Sequence, residues 1–214
     1  MNIHRIYLLF QKFFRPRRMK QFIKFFGVDN NTKILDIGGG MLNWVFINEK
    51  PQVTILNLNV PSNFEHRSGN LLWIKGNALD IPCQDKSFDI AYANSVIEHL
   101  SSFENQKIFA REISRISENI YVQTPNRYFF IEPHLVTPFT HYLPKRLQRY
   151  LLRNFTVWGI VSRPSQEDII RFLKEVRLLT YSELKILFPD CEIIKERFCF
   201  LTKSFIVVRK NHFL

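Results

Sequence analysis

Lys33-Ile-Leu-Asp-Ile-Gly-Gly-Gly40 is a short apolar run that leads directly into three consecutive glycines. This order predicts a buried strand that ends in a sharp turn, because glycine tolerates backbone conformations that other residues avoid. Glycine also lets a ligand approach the backbone, and the helix expected next would present free N–H groups to that ligand. A turn with a purely structural role is the alternative.

The acidic residue inside this run, Asp36, limits which ligands the predicted turn can bind. A carboxylate just before the turn suits a ligand with a positive amino group better than it suits a pyrophosphate. The dinucleotide spacing G-x-G-x-x-G also fails, because Asn43 stands three residues after Gly40. The turn therefore does not predict NAD binding.

The rest of the chain alternates between strand and helix patterns. Apolar or alternating runs predict further strands at 53–59, 71–74, 88–92, 119–123, 193–200 and 205–209. Periodic patterns predict helices at 104–116, 165–176 and 181–187. We therefore predict an α/β fold, a Rossmann-like three-layer sandwich with a mostly parallel seven-stranded sheet. Its last two strands form an antiparallel C-terminal hairpin, because a tight turn joins them.

Composition limits the class of protein. The chain has 214 residues, of which 46% are hydrophobic and 23% charged, so it is not wholly disordered and fits one domain. Its three cysteines include no C-x-x-C pair, which argues against a disulfide framework and a cysteine zinc site. No apolar run approaches the roughly 18 residues of a spanning helix, and no signal peptide is recognisable. We therefore expect a cytoplasmic protein.

The net charge of +11 is concentrated at the start of the chain. Residues 1–28 carry seven lysines and arginines and no acidic residue, among apolar residues at helical spacing. We interpret 1–28 as a basic amphipathic helical arm that lies on an anionic membrane, packs on the main domain or binds nucleic acid. Its aromatic content favours a membrane over phosphate backbone. We interpret 29–214 as the main domain, with an irregular insertion at about 127–164 that would cover a substrate.

A second segment, residues 76–100, carries more specific information. It contains Gly76-Asn-Ala-Leu-Asp80, Phe88-Asp-Ile-Ala-Tyr-Ala-Asn94 and Glu98-His-Leu100. Together with the glycine turn, this segment resembles the class I S-adenosylmethionine-dependent methyltransferases. The resemblance is strongest to the small-molecule methyltransferase subgroup related to ubiquinone-pathway enzymes.

The resemblance implies S-adenosylmethionine as the cofactor. The residues implied to bind it are Asp36, Gly38, Gly39, Gly40, Asn57, Asn77, Ala78 and Asn94. Asp36 would hold the amino group of the cofactor, and Asn94 would face the sulfur that bears the methyl group. Three positions depart from the family pattern, because Leu42 replaces a usual glycine and Asn57 and Asn77 replace usual acids. An amide can still bond a hydroxyl or adenine, without charge assistance.

Four polar residues are candidates for removing a proton from the acceptor. Glu98 and His99 follow the fourth predicted strand, and Glu132 and His134 open the insertion. The runs Thr124-Pro-Asn-Arg127 and Glu132-Pro-His134 are similar to an uncharacterised bacterial branch of the family. We predict His99, Glu132 and His134 as the catalytic residues, with Glu132 orienting His134 as the base. Structural hydrogen bonding is the alternative, and two ligands without a clear third predict no metal.

The predicted function is methyl transfer to a small-molecule, glycan or lipid-linked acceptor by O-methylation. Aromatic residues and the cations Lys145, Arg146 and Arg149 in the insertion favour a lipid-linked or anionic glycan acceptor, met at the inner face of the membrane. Two alternatives remain, a nucleic-acid methyltransferase and a non-catalytic binding or assembly protein that keeps the fold. Nucleic acid is not favoured as a partner, because strand four ends Ala93-Asn-Ser-Val96 and lacks the Pro-Pro-aromatic run of base-amine methylases.

Overall fold

The predicted central sheet is present in the computed structural model, which describes residues 3–60 and 67–211, with side chains at 14–60 and 69–211. The strands are β1 (Lys33–Ile37), β2 (Gln52–Asn57), β3 (Arg67–Ser68), β4 (Leu71–Lys75), β5 (Ile90–Asn94), β6 (Asn119–Pro125), β7 (Ile131–Glu132), β8 (Thr137–Pro138), β9 (Glu192–Phe198) and β10 (Leu201–Arg209). The α-helices are α1 (Ile3–Phe26), α2 (Phe103–Ile116), α3 (Lys145–Phe155), α4 (Val157–Ser162), α5 (Gln166–Glu175) and α6 (Tyr181–Leu187). Short 3₁₀ helices cover Met41–Phe46, Ile97–His99 and Thr140–Tyr142.

The main sheet has the strand order β3-β4-β2-β1-β5-β6-β10-β9. The five neighbouring strands from β4 to β6 are parallel, and β10 runs antiparallel to both β6 and β9. The prediction of a Rossmann-like, mostly parallel seven-stranded sheet with an antiparallel hairpin strand is therefore confirmed, and β3 adds a two-residue strand at one edge.

The order in which successive strands are added to the sheet reverses at β1. From β1 the chain proceeds to β2 and β4 on one side, and then returns to β5 and β6 on the other. In open sheets of this kind, ligands bind in the crevice outside the carboxyl ends of the strands at such a reversal. We call the ends of β1, β2, β4, β5 and β6 the carboxyl edge.

Apolar side chains cover both faces of the sheet. On one face, α2 and α6 contribute Phe109 and Leu184 to a cluster with the inward residues of the strands. On the other face, α1 and the 3₁₀ helix after β1 contribute Phe22 and Trp44. The sheet is thus the middle layer of three, as predicted.

The basic arm forms a single helix, α1, which continues through Pro16. Met19 and Phe22 are fully buried, and the Phe22 ring lies 5.0 Å from that of Tyr92 and 5.1 Å from that of Tyr121, between ring centroids. The described second half of α1 therefore packs on the main domain, one of the arrangements expected for the arm. Its contact with a membrane stays a prediction.

The insertion at 127–164 is more regular than predicted. It contains the β7–β8 hairpin and the helices α3 and α4, so the expectation of an irregular stretch is wrong. In α3 the buried side is formed by Gln148 and Leu152, and the outer face is basic. Because a polar residue shares the buried side, the sequence shows no clear apolar periodicity there, and the helix was not predicted. The Thr156 hydroxyl caps α4 by accepting from the Gly159 N–H at 2.8 Å.

Smaller differences concern the ends of elements. The strand predicted at 88–92 lies two residues later, as β5, and β6 extends to Pro125 because β10 pairs that far. The helix expected after Gly40 is a 3₁₀ helix, whose Asn43 and Trp44 are buried. Ser165 caps α5 by accepting from the Asp168 N–H, as the sequence predicted.

The turn between β9 and β10 allows a test of stability. Cys199 and Phe200 form this two-residue loop with φ of 47° and 67°, where glycine and asparagine are favoured. The double substitution Cys199→Asn, Phe200→Gly should raise the free energy of unfolding by about 1 kcal/mol, because side chains other than glycine are strained in this conformation. Urea denaturation measures the change.

Phe155 provides the control, since it is also exposed but lies in helical backbone at the end of α3. Phe155→Gly should not stabilise the protein, because glycine weakens a helix. A double turn variant no more stable than the parent protein would contradict the prediction.

Candidate active site

The glycine turn after β1 is built around the carboxylate of Asp36. Gly38 has φ +66° and donates its N–H to the Leu56 carbonyl at 2.7 Å. A Cβ added at Gly39 would overlap the Asp36 carboxylate, so this carboxylate lies directly beneath the turn. Gly40, in contrast, faces open space, because an added Cβ would meet no described atom within 4 Å.

The Asp36 carboxylate is fully buried. Trp44 donates its indole N–H to Asp36 Oδ2 at 2.9 Å, whereas Asp36 Oδ1 has no hydrogen-bond partner among the described residues. Burial raises the pKa of Asp36 to about 7, although the hydrogen bond from Trp44 and the charge of Arg15 act in the opposite direction. The turn therefore holds an acid that lacks one donor.

The other predicted cofactor residues lie along the carboxyl edge. Asn57, at the end of β2, donates from Nδ2 to the Gly39 carbonyl at 3.2 Å. Asn77 follows β4, and its Oδ1 accepts from the Leu79 N–H at 3.0 Å, with Ala78 between them in the turn. Asn94 ends β5. The structure thus brings the predicted positions to one edge, and whether they bind the cofactor stays a prediction.

Two arginines of α1 reach the same edge, which the sequence did not indicate. Arg15 donates to Asn43 Oδ1 at 3.2 Å, beside Asp36. Arg18 is buried and donates to Asn94 Oδ1 at 2.6 Å. The arm therefore contributes polar side chains to the crevice, in addition to the apolar ones that cover the sheet.

An ion pair fixes Arg18 in this place. Its guanidinium contacts Glu196 of β9, with Nη2 2.9 Å from Oε2, and Lys203 lies 3.1 Å from the same oxygen. Although burial alone would raise the pKa of Glu196, Arg18 and Lys203 lower this pKa to about 2. The pair is charged at neutral pH and links α1 to the C-terminal hairpin.

A second polar cluster lies beyond the end of β5. His134 Nδ1 is 2.6 Å from Glu132 Oε1, and His134 Nε2 is 3.1 Å from His99 Nε2. Glu132 is buried, and its Oε2 accepts from the Leu135 N–H at 2.6 Å. The three residues predicted as catalytic are thus in contact, although 35 residues separate His99 from His134. We call Glu98, His99, Glu132 and His134 the histidine cluster.

Electrostatics distinguish the two histidines of the cluster. Partial burial of the ring and the neighbouring His134 lower the pKa of His99 to about 4, although one side of His99 is exposed to the cavity. Burial would also lower the pKa of His134, but the charge and hydrogen bond of Glu132 outweigh it and raise this pKa. The Glu132–His134 pair therefore attracts a proton, and His99 is neutral at neutral pH.

Glu98 is the fourth member of the cluster. It is fully buried, and its Oε2 accepts from the Thr124 hydroxyl of β6 at 3.0 Å. Its Oε1 has no hydrogen-bond partner in the described part of the chain. Burial raises the pKa of Glu98, against the charge of His134 and the bond from Thr124.

A cavity of about 430 Å³ opens on the histidine cluster. Its wall contains His99 and His134, together with Trp158 of α4 and Phe172 and Arg171 of α5. The insertion and α5 therefore form an open cleft with two imidazoles at one end, and its lining mixes aromatic side chains with charged ones that include Asp168 and Glu175. This arrangement can hold an organic molecule against a proton acceptor.

Comparison with known proteins agrees with this architecture. Residues 35–119 match the family model described as a methyltransferase domain. The matched residues include the glycine turn and the strands up to the start of β6. A comparison with curated protein sequences finds no significant match.

Several solved structures share the fold. A 1,6-didemethyltoxoflavin-N1-methyltransferase of Burkholderia thailandensis, with bound S-adenosylhomocysteine, has a TM-score of 0.56 at 12% identity, over 93% of this chain and 79% of that chain. A phosphoethanolamine N-methyltransferase 2 of Haemonchus contortus, in complex with S-adenosyl-L-methionine, has a TM-score of 0.54 at 14% identity, over 84% of this chain and 38% of that chain. A protein of Methanosarcina mazei described as a SAM-dependent methyltransferase has a TM-score of 0.51 at 16% identity, over 87% and 95%.

The fold is thus that of the S-adenosylmethionine-dependent methyltransferases. The sequence match and this fold support a methyltransferase enzyme with S-adenosylmethionine as its cofactor, as predicted. Among the helices of residues 3–60 and 67–211, none combines the length and the hydropathy that spanning a bilayer requires.

The residues of the glycine turn fit this cofactor. No described residue donates a hydrogen bond to Asp36 Oδ1. The ammonium group of the methionine moiety is a positively charged donor, which a carboxylate binds more strongly than a neutral one. The open space at Gly40 leaves room for a ligand against the backbone. Asp36 and Gly40 would therefore hold the methionine moiety.

The adjacent glycines give a matched test of this fit. Gly40→Ala should leave the free energy of unfolding unchanged, because the new methyl group meets no described atom. It should weaken binding of S-adenosylhomocysteine at least about tenfold, because the methyl group enters the space of the ligand. Calorimetry and urea denaturation measure the two quantities. Unchanged affinity would place the ligand elsewhere.

Gly39→Ala is the comparison, since the added methyl group overlaps the Asp36 carboxylate. This variant should lose about 1–3 kcal/mol of stability, the usual cost of overpacking.

The Arg18–Glu196 pair predicts a pH dependence of stability. The pKa of Glu196 in the folded protein, about 2, lies below the ordinary glutamate value of 4.5. The ion pair therefore stabilises the protein fully above pH 4.5, and this stabilisation is lost as the pH falls toward 2. Glu196→Gln should destabilise the protein by about 3–5 kcal/mol at pH 7, because it leaves a buried guanidinium uncompensated. This difference should shrink below pH 4.5 in denaturation curves. A difference constant with pH would exclude the ion pair as its source.

Proposed function

We propose that the protein transfers the methyl group of S-adenosylmethionine to a hydroxyl oxygen of a small-molecule, glycan or lipid-linked acceptor. The observation that carries this proposal is the histidine cluster, which faces a cavity of about 430 Å³. When bound, the cofactor supplies a methyl group on a positively charged sulfur, so displacement needs no acid to activate the leaving group.

The cluster favours oxygen over nitrogen as the acceptor atom. Two of the solved relatives are named as N-methyltransferases, and a neutral amine attacks through its own lone pair. A hydroxyl is a weak nucleophile until its proton is removed. A buried carboxylate, Glu132, that orients His134 toward the cavity is suited to this removal.

The roles within the cluster follow from the contacts. Glu132 holds His134 through Nδ1, which leaves Nε2 of His134 directed at His99 and the cavity. An acceptor hydroxyl placed beside the two imidazoles transfers its proton to one of them as the C–O bond forms and the C–S bond breaks. The aromatic rings of Trp158 and Phe172 in the cavity lining position the acceptor.

The outer face of α3 supports a lipid-linked or anionic glycan acceptor. Arg146, Arg149, Tyr150 and Arg153 are exposed on this helix, and α3 contains no acidic residue. Cations mixed with an exposed tyrosine suit an anionic headgroup or glycan. We further propose a cytoplasmic protein that meets its acceptor at the inner face of the membrane, with 1–28 as the second contact.

A non-catalytic protein with the same fold is the second candidate. It is favoured by Asn57 and Asn94, whose side chains are bonded to Gly39 and Arg18 within the protein. Calorimetric titration with S-adenosylhomocysteine separates the two candidates. Binding supports the enzyme, and absence of binding at millimolar ligand favours the non-catalytic protein.

His134→Ala tests the chemistry of the cluster. We expect the rate of methyl transfer from S-adenosylmethionine to fall at least about 100-fold, as for the loss of a general base, with unchanged affinity for S-adenosylhomocysteine. Labelled methyl groups would be followed onto a panel of phenols, sugars and polyprenyl-linked glycans.

The matched control is His141→Ala. His141 lies in the same insertion, and its Nε2 contacts the Arg127 carbonyl rather than the cluster. Its loss should leave the rate near that of the parent protein. Equal rates in the two variants would remove His134 from the site.

A further inference from the structure

The geometry points to a binding site for one divalent transition-metal ion, of the zinc type, formed by Glu98, His99 and His134. Each residue offers one ligand atom, and the three atoms lie within 4.8 Å of one another. This inference rests on the proposed function and changes one assignment within it, because the imidazoles become ligands. Two imidazoles and a carboxylate are a donor set that zinc-type ions accept.

The two imidazoles converge as ligands of one ion do. Their Nε2 atoms are 3.1 Å apart. Two nitrogens that bind a tetrahedral zinc ion at about 2.0–2.1 Å are separated by about 3.3 Å. The observed spacing is therefore close to that of a shared ion, and the rings are nearly perpendicular, with an interplanar angle of 85°.

Glu98 supplies the observation that the imidazoles alone do not. A single proton shared between His99 and His134 satisfies both rings, but it leaves Glu98 Oε1 without a partner in the described part of the chain. Glu98 is fully buried, where an unpartnered carboxylate oxygen is costly. A cation between the three side chains satisfies all of them, after a rotation of the Glu98 carboxylate toward the rings.

Glu132 completes the arrangement expected around a metal. A histidine that binds a metal commonly donates its other ring N–H to a carboxylate, which fixes the tautomer. His134 Nδ1 lies 2.6 Å from the buried Glu132 Oε1, and Glu132 is itself held by the Leu135 N–H. With Nδ1 carrying the proton, Nε2 of His134 presents its lone pair to the proposed ion.

The cavity leaves a coordination position open. His99 is exposed toward it, so water or an acceptor hydroxyl can reach the ion. A bound cation makes such a hydroxyl more acidic. Its O–H bond breaks, the electron pair stays on oxygen and the proton leaves to solvent water. That oxygen forms the C–O bond to the methyl carbon. The C–S bond breaks at the same time, and the electron pair of the C–S bond passes to sulfur.

The experiment uses the full chain without an affinity tag, freed of metal with EDTA and dialysed. Titration with Co²⁺, followed by its visible absorption and by competition with Zn²⁺, measures stoichiometry and affinity. We expect one equivalent to bind. His99→Ala and His134→Ala should each weaken binding about 100-fold or more, and Glu132→Gln about 10–100-fold. Glu98→Gln should weaken binding, and His141→Ala should not change it.

Failure of this inference differs from failure of the proposed function. No binding of Co²⁺ or Zn²⁺ by the parent protein, or equal affinity in His99→Ala and His134→Ala, would overturn the metal site. Binding of S-adenosylhomocysteine is measured on the same samples and reports folding of the variants. Undiminished methyl transfer in EDTA would refute the metal and leave the methyltransferase in place, whereas metal binding without S-adenosylhomocysteine binding would refute the enzyme.

Discussion

The burial of one carboxylate beneath a glycine turn is the constraint on which the rest of the site depends. The Asp36 carboxylate leaves no room for a side chain at Gly39, and it accepts a hydrogen bond from the indole N–H of Trp44. Trp44 then packs with Phe22 on the same face of the sheet, which places α1 there. The turn, the 3₁₀ helix after it and the arm are therefore arranged around one buried carboxyl group.

The two parts of the site are joined through neighbouring strands. β5 ends in Asn94 at the cofactor crevice, and the chain then passes within a few residues to Glu98 and His99. β6 lies beside it and supplies Thr124, whose hydroxyl holds Glu98. Because both strands are hydrogen-bonded in the middle of the sheet, the crevice and the histidine cluster keep a fixed separation. Such rigidity is what alignment of a displacement reaction requires.

Local patterns in the sequence predicted the sheet, the glycine turn and the cap of α5 at Ser165, because each depends on residues that are close in the chain. The strand pattern placed His99 after the fourth predicted strand and His134 just past the fifth, but no pattern in the sequence indicated that the two imidazoles touch. The indole of Trp44 beside Asp36 and the contact between Arg18 and Glu196 had no local signal, since 178 residues separate the second pair. Glu98 was a candidate whose partner, Thr124, no spacing identifies.

The contact between Arg18 and Glu196 also has a consequence for synthesis of the chain. Arg18 is synthesised 178 residues before the carboxylate that neutralises it. At a rate of about 5–20 residues per second, Arg18 waits on the order of ten seconds or more for this partner. During this interval another anion competes for the guanidinium, so this part of α1 is most open to other partners before β9 is made.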